Sequence, residues 1–102
     1  MTTEELQACF EKHSDEYIKF DRIEKPMHRR PDICAFLMLD LVPPIERKGT
    51  MGDMVTAAEH DIFFLDVTVE ELAAVATDEM VRDLSRCGVM YEDEFDCLAM
   101  FS

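Results

Sequence analysis

Apolar positions recur along this chain first with a helical period and later with a strand period, and the change of period divides it. Near the start, Leu6, Phe10, His13, Tyr17 and Phe20 follow steps of three and four, the stripe of an amphipathic helix. Thr2 with Glu5 forms a capping box ahead of that stripe, and Glu4 and Glu5 complement the helix dipole. The pattern predicts a helix over 3–23, with Ser14-Asp15 as the place for any break and Pro26 as its limit. "PDICAFLMLDLV" predicts a buried helix over 31–42, opened by Pro31 and closed by Pro43-Pro44. A strand competes for "CAFLML", but Ala, Leu and Met favour helix. After the loop "PPIERKGTMGD", the best place for a functional loop, "DMVTAAEH" reads as a short helical turn. "DIFFLDV", rich in aromatic and β-branched residues, predicts a strand over 61–67.

Thr68 with Glu71 is a second capping box and opens a helix over 69–76. Thr77 caps another over 78–87, which Gly88 stops in left-handed geometry. Alternation of Phe95, Cys97, Ala99 and Phe101 predicts a C-terminal hairpin over 89–101, its turn centred on Asp93 and its tip "EDE". The predicted fold is α+β: one domain over 1–102, with a two-layer, about three-stranded sheet packed by helices.

Charge sharpens the picture. The 102 residues are 48% hydrophobic, enough for one core, and carry a net charge of -13. Residues 1–51 hold ten acids against eight bases, whereas residues 52–102 hold thirteen acids against Arg82 and Arg86. Such an anionic half disfavours direct contact with nucleic acid and favours a basic protein surface. The acids assigned to that contact are Glu70, Glu71, Asp78, Glu79 and Asp83, together with the hairpin group Glu92, Asp93, Glu94 and Asp96. The bases gather in "KFDRIEKPMHRR", read as a solvated face in preference to a small anion site. The apolar run Ile33–Leu39 is too short to span a bilayer, and the acidic N-terminus does not resemble a secretory signal. Both point to a cytoplasmic protein, without membrane contact, whose four cysteines are reduced.

Candidate chemistry is sparse. Glu59, His60 and Asp61 adjoin at the start of the predicted strand, and with Cys34 as helper they form the alternative site, a general base or a metal-ligand set assisted by His13 or His28. Against it, neighbours on a strand point to opposite faces, so a surface or satisfied core histidine is preferred, and Cys34 reads as a core thiol. The acidic tip lacks the mid-loop glycine of a calcium loop, and Cys87 and Cys97 are out of register for a disulfide. "VEELAAVATDEMVRDLSRCG" is a poor helix-turn-helix, since Asp78 and Glu79 would open its recognition helix. "KGTMGD" has no phosphate-loop spacing. Eight methionines, Met51, Met54, Met90 and Met100 among them, serve as core filler or as an adaptable partner surface. No cofactor, metal or catalytic group follows from these residues.

"RPDICAFLMLD", "AAEHDIFFLDVTVEELAAVAT" and "LSRCGVMYEDEFDCLAMF" resemble stretches of a family of small uncharacterised bacteriophage and prophage proteins, over about residues 29–101. The resemblance implies a phage accessory product acting in the host cytoplasm, and it carries no catalytic residue. The reading is therefore a non-enzymatic interaction protein that presents its acidic half to a basic partner, in its sharpest form a nucleic-acid mimic. A small enzyme or metal protein centred on His60 is the alternative, and self-association as a homodimer through the C-terminal strand is the third.

Overall fold

A computed structural model describes residues 1–45 and 52–101 of the chain and shows an α+β fold. Four helices, α1 (Thr3–Lys12), α2 (Pro31–Asp40), α3 (Val69–Val75) and α4 (Asp78–Arg86), accompany four strands, β1 (Val55–Glu59), β2 (Ile62–Thr68), β3 (Met90–Glu92) and β4 (Cys97–Phe101). The sheet is antiparallel in the order β1-β2-β4-β3. It thus has one strand more than the hydrophobic pattern indicates.

Local chemistry explains the helix boundaries. Thr2 Oγ1 accepts from Glu5 N–H while Glu5 Oε1 accepts from Thr2 N–H, so α1 starts on a complete capping box. Thr68 and Glu71 repeat the device for α3, and Thr77 caps α4 through Met80 N–H. Gly88 follows α4 at φ +97°, a region where only glycine rests without strain. The first helix is shorter than its stripe: it ends at Lys12, and two 3-10 turns, Ser14–Glu16 and Phe20–Arg22, continue the chain. The break falls at Ser14-Asp15, whose side chains favour caps and turns over helix interiors.

β1 replaces the predicted helical turn. Its five residues are exposed, and they are held in strand form by pairing with β2 through the two-residue connection His60-Asp61. His60 sits there at φ +57°, so it belongs to a hairpin turn and not to the start of a strand. The C-terminal hairpin pairs Met90 with Ala99, Tyr91 with Leu98 and Glu92 with Cys97. Its turn therefore spans Asp93–Asp96, further along than a turn centred on Asp93, because Asp96 takes up a left-handed conformation at φ +47°.

The core gathers Leu6 from α1, Leu39 from α2, Leu72 from α3, Leu84 from α4 and Leu98 from β4, each fully buried. β2 contributes Leu65 and Val67. Phe63 meets Phe36 of α2 edge-on, with ring centroids 6.4 Å apart, while the next residue, Phe64, meets Phe95 of the hairpin turn at 5.7 Å. Consecutive residues of a strand point oppositely, so both faces of β2 carry aromatic contacts. β4 lies between β2 and β3. Cys97 and Ala99 are paired on both sides, while Met100 and Phe101 pair with β2 alone; the sheet edges are β1 and β3.

Candidate functional site

The residues assigned to chemistry at His60 are not brought together. Glu59, His60 and Asp61 are exposed at the β1–β2 turn, whereas Cys34 is 1% exposed inside α2. Among the described residues, the one group of three metal-capable side chains whose ligand atoms lie within 4.8 Å of one another is Cys9, His13 and Asp78.

That group is built by two helices. Cys9 and His13 stand four residues apart on α1 and its C-cap, hence on one face. Asp78 is the first residue of α4, fixed by the Thr77 cap. One carboxylate oxygen, Asp78 Oδ1, receives three neighbours: Lys12 Nζ at 2.9 Å, His13 Nε2 at 3.1 Å and Cys9 Sγ at 3.4 Å. The hydrogen bond from Lys12, followed by that from His13, holds the Asp78 carboxyl well below the usual carboxylate range. Burial, then the neighbouring Asp78, pushes the Cys9 thiol up. His13 is shielded, its side chain 12% exposed. Sequence reasoning placed His13 on the α1 stripe and Asp78 at the start of α4, but their meeting bridges 65 residues and left no local signal.

The acids assigned to a basic partner divide into several roles. Glu71 is 2% exposed, closes the α3 capping box and accepts from Ile45 N–H at 2.8 Å, so it is an internal structural group. Asp83 lies between Arg82 and Arg86, at 3.3 Å and 3.1 Å. Arg86 in turn binds Glu16 at 3.0 Å, a bond that holds the Glu16 carboxyl below the usual carboxylate range and fastens α4 to the 3-10 turn at Ser14–Glu16. Glu92 accepts from Glu94 N–H, and Asp96 accepts from Tyr91 Oη. Glu70, Glu79, Asp93 and Glu94 face solvent.

A second feature is apolar. Met27, Met38, Leu41, Val42, Val75 and Met80 line an open trough of about 500 Å³ where the ends of α2 and α3 meet α4. Leu41 is 71% exposed, Met27 50% and Val75 43%. Asp40 and Glu79, both exposed, adjoin Leu41 and Met80 in the chain. The methionines of this surface are not those expected from the sequence: Met100 is buried in the core, and Met51 lies outside the described residues, as do Arg47 and Lys48 of the expected functional loop.

No helix among the described residues is long and apolar enough to cross a membrane. Comparison with protein-family models, with curated proteins and with solved structures gives no match.

Proposed function

We propose that this protein is a non-enzymatic interaction module, and that it binds a basic amphipathic helix of another protein in the trough between α2, α3 and α4. One observation carries the reading: a methionine-lined apolar surface stands open on a molecule of net charge -13. Exposed Leu41, Met27 and Val75 offer apolar area to a partner's apolar face, and methionine adapts to side chains of irregular shape. Exposed Asp40 and Glu79, next in the chain to Leu41 and Met80, and the anionic second half favour Lys and Arg on the partner's polar face. Lys25, His28 and Arg29 flank Met27, so the partner's bases would lie towards Asp40 and Glu79. The reading goes with a two-layer arrangement, in which helices cover one face of the sheet and leave their own outer surface for the partner. The resemblance to phage proteins supports the host cytoplasm as the place of action.

The test uses a synthetic helix-forming Lys/Leu amphipathic peptide and a Glu/Leu peptide of the same apolar pattern. The Lys/Leu peptide binds the protein, and the Glu/Leu peptide binds at least about tenfold more weakly. Leu41→Asp, a change at an exposed position that spares the fold, weakens the Lys/Leu peptide by a similar factor because it puts a charge where apolar area is buried. Equal binding of the two peptides, or an unchanged affinity in Leu41→Asp, overturns the proposal.

A further inference from the structure

We propose that Cys9, His13 and Asp78 form a binding site for a single zinc ion, which joins the C-terminal end of α1 to the N-terminal end of α4. The site is distinct from the apolar trough and is argued from different residues.

The donor set is one thiolate sulfur, one imidazole nitrogen and one carboxylate oxygen, the three ligand types that zinc accepts together. The soft sulfur and the imidazole argue against magnesium and calcium, which require oxygen shells. Distances agree with a common ion. Tetrahedral zinc, with bonds of about 2.0–2.3 Å, sets its ligand atoms about 3.3–3.6 Å apart. Here Asp78 Oδ1 stands 3.1 Å from His13 Nε2 and 3.4 Å from Cys9 Sγ, and all three atoms fall within 4.8 Å of one another. Three protein ligands leave a fourth position for water.

The surroundings suit a cation. Lys12 already places its ammonium 2.9 Å from the shared oxygen, although its side chain is 65% exposed and has room to swing into water. Lys12 thus acts as an internal counter-ion that a metal displaces. Cys9 and His13 come from consecutive turns of α1, and Asp78 is set by the Thr77 cap, so little order has to be created on binding. On coordination the Cys9 thiol releases its proton to solvent. The ion then replaces three weak contacts with three metal bonds across two elements that are distant in the chain, which favours the folded state.

Reduced full-length protein is titrated with cobalt(II), a spectroscopic stand-in for zinc. One equivalent gives a near-ultraviolet sulfur-to-cobalt band and intense visible bands of a tetrahedral ion, and zinc displaces both. Cys9→Ser abolishes the sulfur band although Cys97 remains partly accessible, and His13→Gln lowers cobalt affinity at least about tenfold. Lys12→Met, which keeps all three donors, binds as tightly as the parent chain or more tightly. Zinc raises the Tm of the parent chain and not that of His13→Gln. Absence of the sulfur band in the parent chain, its survival in Cys9→Ser, or an equal zinc-induced Tm shift in His13→Gln overturns the proposal.

Discussion

Ile18 and Gly88 adopt the same unusual half of backbone space, with opposite consequences. Ile18 sits at φ +56°, where a β-branched side chain is strained, and it is 66% exposed. Its conformation is imposed by a backbone bond, Ile18 N–H donating to Ser85 O at 3.0 Å. Little buried area holds the isoleucine itself, so Ile18→Asn should stabilise the protein by about 1 kcal/mol, since asparagine tolerates left-handed geometry. Gly88 at φ +97° is the contrary case. A Cβ there would meet Ile18 Cγ2 and Met100 Cε at 3.7 Å, ordinary contact distances. The loss from Gly88→Ala is then conformational and not steric, and should come to about 1–2 kcal/mol. Urea denaturation of both variants checks the pair: changes of the same sign in both would show that contacts, and not φ, govern this corner.

At the scale of elements, a buried carboxylate joins the start of α3 to the chain after α2. Glu71 accepts from Thr68 N–H at 3.0 Å and from Ile45 N–H at 2.8 Å. Glu71→Ala leaves both donors without that acceptor and should cost about 1–3 kcal/mol. Glu71→Gln keeps one carbonyl oxygen and the side-chain volume, and should cost less; denaturant midpoints of the two variants decide it. The same residue shows what was legible in the sequence. The Thr68-to-Glu71 spacing announces its capping role, because a capping box is closed within four residues; the start of α1 was legible for the same reason, that of α4 from the Thr77 cap and that of α2 from Pro31. The burial of Glu71 and its bond from Ile45 N–H were not legible, since both are products of tertiary packing. β1 stayed hidden because Ala57, Ala58 and Glu59 favour helix and the turn His60-Asp61 has no glycine; pairing with β2 overrides that preference. The hairpin register shifted for a similar reason, with Asp96 filling a left-handed position usually marked by glycine. His13 was visible on the apolar stripe of α1, but its meeting with Cys9 and with Asp78 of α4 was not read from the sequence, and the position of Asp78 opposite it is a product of tertiary packing.

At the scale of the whole molecule, salt should act on stability and on binding in opposite directions. A net charge of -13 on 102 residues makes the folded chain repel itself more than the expanded one. Salt shortens the reach of that repulsion, from about 30 Å at 0.01 M to about 3 Å at 1 M. Against this, salt also weakens local pairs such as Lys12–Asp78, whose partners are half exposed or more. Exposed pairs contribute little each, while the surplus of acids is spread over the whole second half, so the repulsion should dominate. Thermal unfolding in increasing potassium chloride should therefore show a rising Tm. Over the same range the Lys/Leu peptide should lose affinity, because screening removes the attraction between its bases and the acidic surface. A Tm that falls with salt would mean that the internal ion pairs outweigh the surplus charge. A peptide affinity indifferent to salt would leave the apolar trough as the sole source of binding and remove the role assigned to the acids.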